Sequence, residues 1–221
     1  PKAVIDAGGM VASRSALASD VGAQILADGG NAIDAAVGVG FAMAVTYPSA
    51  GNIGGGGFMV IHLADGTVVA NDHRERAPGA ASKDMFLDDE GNYSRNLALL
   101  SHKSSGVPGT VDGLITILED YGSGKFSLSE ILSYAINFAE NGHGINKSSA
   151  FGLDFYKHLF LQDKGSTKIF IKDYTLEMKQ LQKDVLNGTI PEQEYIDKMR
   201  SLDQWNEGDI IIQKDLAETL K

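Results

Sequence analysis

The chain has 221 residues, of which 43% are apolar, 22% charged and 26 glycine; that is enough for one large domain with a buried core and many tight turns. A formal net charge of −10 argues against nucleic acid or an anionic membrane as partner, while leaving room for a local cationic pocket. The lack of cysteine excludes disulfides, thiolate metal sites and thiol nucleophiles together, and no apolar run reaches the roughly 18 residues of a membrane span.

The N-terminal PKAVIDAGGM does not have the layout of a signal peptide; it could be the mature end left after one was removed. MVAS (10–13) reads as a short strand. In the helix that follows, Ser15 is the cap, Leu17, Val21 and Ile25 share one face, and Gly29 supplies a left-handed stop. Asn31 caps a second helix, AIDAAVGVGFAMAV (32–45), with Asp34 in its first turn. It is small or apolar nearly all round, which predicts burial and close approach of neighbouring backbones.

SAGNIGGGG (49–57) is a turn. FMVIHLA (58–64) is apolar enough for a strand covered on both faces, with His62 a satisfied core histidine. Asp65-Gly66 predicts a two-residue hairpin of type I′. TVVANDHRER (67–76) returns as the partner strand, ended by Pro78. Residues 79–105 read as surface, with DMFLDDEGNYS an exposed loop or hairpin. Helices follow in 106–122 and 126–146, the second with Ser127 and Glu130 spaced as a capping box, Leu132, Ile136 and Ala139 inward and Gly142 as its stop.

Residues 174–206 are far more polar. Two short amphipathic helices joined at Asn187-Gly188, with Thr189 and Glu192 as a second capping box, make a surface helical hairpin. The last residues, WNEGDIIIQKDLAETLK, give a turn, a short apolar run and the start of a helix, so the chain reads as a single incomplete domain over 1–221. The unfinished helix and the apolar helix at 32–45 both suggest core surface awaiting a partner.

Few residues carry chemistry. Gly54–Gly57 precede a strand, with no helix and no Lys-Ser/Thr pair, so a strained close-packed turn is favoured over a phosphate cradle. The five histidines show no ligand spacing, and no G-x-S-x-G elbow is present. HRER is sharper. On a strand, Arg74 and Arg76 project to one side, and a guanidinium is a planar fork that grips a carboxylate. From spacing alone, a surface ion-pair ladder explains the pattern equally well.

GGNAIDAAV (29–37), AGNIGGGGFMV (50–60), RERAP (74–78), DMF (84–86) and SGVPGTVDGL (105–114) occur in that order. The series resembles the N-terminal part of the large subunit of the γ-glutamyltranspeptidases, also called glutathione hydrolases, over residues 1–173 and again over 208–220. The resemblance implies an α+β chain of the N-terminal-nucleophile hydrolase fold, an αββα sandwich, of which this is a large-subunit portion only. It also implies a proenzyme that cuts itself in two. The small subunit then carries an N-terminal threonine nucleophile whose own α-amine can act as base. This threonine attacks γ-glutamyl amides such as glutathione, and the acyl group passes to water or to an amine. The family's R-E-x-A-P arginine binds the substrate α-carboxylate; Arg74 holds that place, with Arg76 at the variable position. No cofactor or metal is implied, and bacterial members are periplasmic or extracellular.

Two departures stand out. None of the eight threonines lies in the family's cleavage motif, so this chain by itself carries no catalytic residue. Residues 174–206 read as an insertion relative to the usual large subunit. Two alternatives stay open: a related acylase of the cephalosporin acylase kind or a poly-γ-glutamate-processing enzyme, and a non-catalytic anion-binding module.

Overall fold

The structure, a computed structural model, describes residues 8–221; most of PKAVIDAGGM lies outside the described residues. The chain forms two compact units, one up to Ala135 and one from Ile136 to Lys221.

In the first unit, α1 (Ala16–Ala27) and α2 (Ala32–Thr46) pack as a pair. Ser15 caps α1 and Gly29, at φ +90, ends it. The inner face of α1 is Ala18, Val21, Gly22 and Ile25, with Leu17 at its margin. The helix start is tied to the end of α2 by a buried Ser15–Thr46 hydroxyl pair at 2.7 Å. Thr46 Oγ1 donates its proton to the Ala42 carbonyl, so Ser15 is the donor in that pair, and it accepts in turn from the Ala18 N–H. Small residues bring α2 close to its neighbours. A β-carbon at Gly38 would lie 2.4 Å from Ile25 Cδ1, and one at Gly40 would lie 2.9 Å from Leu114 Cδ1 of α4 (Thr110–Tyr121).

The start of α2 is a complete capping box. The Asn31 side chain accepts from the Ile33 and Asp34 N–H groups, and Asp34 Oδ2 accepts the Asn31 N–H at 2.7 Å. Asp34 is fully buried. A buried carboxylate must find donors; it takes a further N–H from Ser123, just past α4, while Asn31 Nδ2 donates to the Tyr121 carbonyl. The start of α2 is thereby locked to the end of α4.

β1 (Phe58–His62) and β2 (Val68–Asp72) form an antiparallel ladder, Phe58 opposite Asp72 and His62 opposite Val68. Here the structure departs from the sequence reading. Only one face is covered. Phe58, Val60 and Val68 stand 68%, 75% and 62% exposed on the other, and His62 is exposed as well. This hairpin face is thus one uncovered apolar surface of the first unit, whereas most of α2 is buried within that unit. The turn is also different. Gly66 alone has positive φ, its N–H bonds the Leu63 carbonyl, and the Leu63 N–H bonds the Thr67 carbonyl. Three residues close the loop, with glycine at the left-handed position, instead of a type I′ pair. MVAS pairs with no strand among the described residues; Val11 instead packs against Gly22.

Leu87 and Tyr93 bridge across a tight turn within DMFLDDEGNYS, followed by α3 (Arg95–Leu100) and a 3-10 turn over His102–Ser104. α5 (Leu128–Asn141) starts with the Ser127–Glu130 capping box and stops at Gly142, φ +83. Ile131, Ala135 and Ala139 are its fully buried positions, one residue short of the predicted Leu132 and Ile136, which are partly covered.

The second unit centres on Ile145, Ala150, Leu153 and Ile211, with Phe160, Phe170 and Trp205 packed against them. β3 (His143–Gly144) pairs antiparallel with β4 (Ile210–Ile211). Three short helices, α6 (Lys147–Phe155), α7 (Lys157–Phe160) and α8 (Lys164–Phe170), lead to the polar pair α9 (Thr175–Leu186) and α10 (Glu192–Ser201). These last two pack together. The predicted Thr189–Glu192 box is not formed: α10 starts after an extended Pro191 with no side-chain cap, and the Thr189 N–H closes the end of α9 on the Asp184 carbonyl. The base of the hairpin is pinned by a half-buried Lys172–Asp209 ion pair at 2.8 Å. Trp205 adds a second anchor: its backbone N–H donates to Asp154 and its indole N–H donates to the Phe170 carbonyl at 2.9 Å. α11 (Lys214–Leu220) follows β4.

Candidate functional site: a cationic pocket at the strand corner

β2 stops at Asp72, and one further pairing, His73 with Gly57, closes the ladder at 3.2 and 3.1 Å. The chain then turns. The Arg74 N–H is held by Asp72 Oδ1 at 3.1 Å, and Arg76 exchanges both backbone hydrogen bonds with Val107 at 3.1 and 2.8 Å. Arg74 and Glu75 therefore form a corner between two pinned ends, not the continuous strand the alternation suggested.

The glycines explain how that corner is seated. An added β-carbon would lie 2.4 Å from the His73 oxygen at Gly56, 2.2 Å from the same oxygen at Gly109, 2.3 Å from His73 Cβ at Gly113, and 2.9 Å from Glu75 Cβ at Gly106. No side chain fits at these distances, so glycine is required where other segments press on the corner. The Gly55 carbonyl accepts the Gly109 and Thr110 N–H groups at 2.8 and 3.0 Å. It thereby supplies the cap that α4 lacks from any side chain. The run leads into β1 and not into a helix, and its last N–H, that of Gly57, is taken by the His73 carbonyl, in keeping with a close-packed turn.

A cavity of about 340 Å³ opens beside the corner, within the size range of small-molecule sites. Arg74, Glu75, Arg76, Ala77 and Pro78 form one wall; Ala81, Met85 and Phe86 a second; and Lys103, Ser104, Ser105 and Gly106 a third. The structure brings both arginines of HRER to the same cavity. Arg74 is 59% exposed at its side chain, lies 3.4 Å by Nε from Glu75 Oε2, and has its guanidinium carbon 5.8 Å from the centroid of the Phe58 ring. The Arg74–Glu75 contact is an ion pair without hydrogen-bond geometry, since Oε2 takes no hydrogen bond. Among the described residues, three cations thus face one lining carboxylate in a chain of net charge −10. Sequence reasoning did not reach Lys103. It joins the site through the non-local Arg76–Val107 bridge, and no local periodicity marks such a pairing.

Among the described residues, no group of three or more His, Asp or Glu side chains could hold a metal ion, and no helix is long and apolar enough to cross a membrane.

The model of the family described as "Gamma-glutamyltranspeptidase" matches residues 18–221. The chain belongs to the γ-glutamyltranspeptidase family. Its relatives include a glutathione hydrolase proenzyme of Escherichia coli strain K12, 47% identical over 166 residues, or 75% of this chain and 28% of that protein. Another, from Pseudomonas sp. strain A14, is 39% identical over 214 residues, or 96% of this chain and 32% of that protein. Among solved structures, the γ-glutamyltranspeptidase of Helicobacter pylori superposes with a TM-score of 0.81 at 41% identity, covering all of this chain and 54% of the other. The chain therefore corresponds to the N-terminal part of the family's large subunit and spans about a third of the curated relatives' length. Its class is α+β, a portion of the N-terminal-nucleophile hydrolase fold.

Proposed function

We propose that this chain forms part of a γ-glutamyltransferase and glutathione hydrolase, and that Arg74 binds the α-carboxylate of the γ-glutamyl donor. In this reading the nucleophilic threonine lies in a small subunit outside the chain. It cleaves γ-glutamyl amides such as glutathione and passes the acyl group to water or to an amino acid or peptide. The exposed Phe58–Val60–Val68 face suits contact with that partner, residues 174–206 are an insertion in the large subunit, and the enzyme works in the periplasm or outside the cell. No cofactor is required.

One observation carries the reading. Arg74, in RERAP, sits on a wall of a small-molecule-sized cavity, with its only ionic neighbour among the described residues, Glu75, in poor hydrogen-bond geometry. Its remaining N–H donors can grip a carboxylate in the two-pronged manner of a guanidinium.

The test is Arg74→Ala in the full-length enzyme with a γ-glutamyl anilide as donor. In this reading the bound donor and the small subunit cover Arg74, so loss of the charge-assisted pair costs about 2–4 kcal/mol and KM rises roughly 30-fold or more while the fold persists. Unchanged kinetics overturn the assignment. Preference of the wild-type enzyme for glutaryl over γ-glutamyl amides favours an acylase instead. Glutamate binding by a chain that needs no second subunit favours a plain binding module.

A further inference from the structure

We infer that Arg76 and Lys103 form a second anion locus in the Arg74 cavity, selecting donors whose leaving group carries a carboxylate of its own. This rests on the reading of Arg74 as the α-carboxylate ligand.

Arg76 is set by the two backbone bonds to Val107, which fix its position against the turn that carries Lys103. Lys103 is held in that turn by Ser101, whose hydroxyl accepts its N–H at 3.2 Å and whose carbonyl accepts the Ser104 hydroxyl at 2.6 Å. Both cations line the cavity, both are exposed, and neither forms an ion pair with a carboxylate among the described residues. The cavity's single lining acid among the described residues, Glu75, is already beside Arg74.

With the α-carboxylate on Arg74, two cations remain for whatever lies beyond the γ-amide. A γ-glutamyl peptide presents a second carboxylate there, whereas a γ-glutamyl anilide presents none. An arginine and a lysine on separate walls suit an anion reached from two sides, and an exposed locus of this kind tunes selectivity more than overall affinity.

The experiment measures steady-state kinetics of the full-length enzyme with two donors, γ-glutamyl-4-nitroanilide and its 3-carboxy derivative. The proteins are wild type, Arg76→Ala, Lys103→Ala, the double variant, Arg76→Lys and Arg74→Ala. Each single alanine should raise KM for the carboxylated donor about threefold, and the double variant about tenfold. KM for the neutral donor should stay within about twofold, which also reports an intact fold. Arg76→Lys should keep the preference, and salt should erode it in the wild type by screening. Arg74→Ala should raise KM for both donors. A carboxylated-to-neutral ratio unchanged in the double variant, with Arg74→Ala still weakening both donors, overturns the second locus and leaves the Arg74 reading standing. No effect of Arg74→Ala on either donor overturns both.

Discussion

Gly109→Ala isolates the role of the glycine contacts. Gly109 has φ −121 and ψ −12, a backbone that alanine adopts without strain. The obstacle is space alone. The new methyl would meet the His73 oxygen at 2.2 Å, the His73 carbonyl carbon at 2.8 Å and the Arg74 oxygen at 3.2 Å. All three are backbone atoms in a corner pinned at His73 and Arg76, so no side chain can swing aside. Ordinary contact requires about 1 Å of movement. Overpacking of this kind costs about 1–3 kcal/mol of stability, and a displacement of about 1 Å at a substrate-positioning residue can lower the rate by about 10²-fold. We expect Gly109→Ala in the full-length enzyme to reduce kcat/KM for a γ-glutamyl anilide 10- to 100-fold, with a lower melting temperature. Gly54→Ala, whose β-carbon meets nothing within 4 Å, should leave both near wild type. A Gly109→Ala enzyme with normal kcat/KM refutes the claim that this contact places Arg74, even if its melting temperature falls.

Two further outcomes follow from buried and half-buried acids. Asp34→Ala strands the Asn31 and Ser123 N–H groups at about 1–3 kcal/mol each, so denaturant unfolding of the full-length protein should show a loss of about 2–5 kcal/mol, and Asp34→Asn a smaller one; a loss under 1 kcal/mol for alanine would contradict the lock between α2 and α4. In Asp209, burial raises the carboxyl pKa, but the Lys172 ammonium together with the Asn206 backbone N–H outweighs it and holds the group below the ordinary range. A depressed folded pKa gives stability that is present above the unfolded value of about 4 and is lost as pH falls through the folded one. Asp209→Asn should therefore be less stable than wild type at neutral pH, with the gap closing below about pH 4 in circular-dichroism melts. A gap independent of pH would rule out this linkage.

What could be read from the sequence was local. The Asn31 cap and the Ser127–Glu130 box each lie within one helical turn, and both formed as expected; Asp34, expected only in the first turn, completes a box with Asn31. The same spacing misled at Thr189 and Glu192, because the preceding helix needed the Thr189 N–H for its own end. Strand burial depends on what lies across the sheet, so an apolar FMVIHL could not reveal that Phe58 and Val60 stand exposed. The Asp65-Gly66 pair marked the hairpin but not its length; one added loop residue let Asp65 avoid positive φ. At the site, RERAP exposed Arg74 through family resemblance, whereas Lys103 required the Arg76–Val107 pairing. α3 and the short helices α6 to α8 carry few buried positions, and so offer little periodicity to read.

The chain's single tryptophan has a practical consequence. Trp205 lies in the second unit, partly covered by its small core and bonded through the indole N–H to the Phe170 carbonyl. Its fluorescence is therefore an intrinsic optical probe of the hairpin base. Loosening of the Lys172–Asp209 anchor would shift its emission to longer wavelength as water reaches the indole.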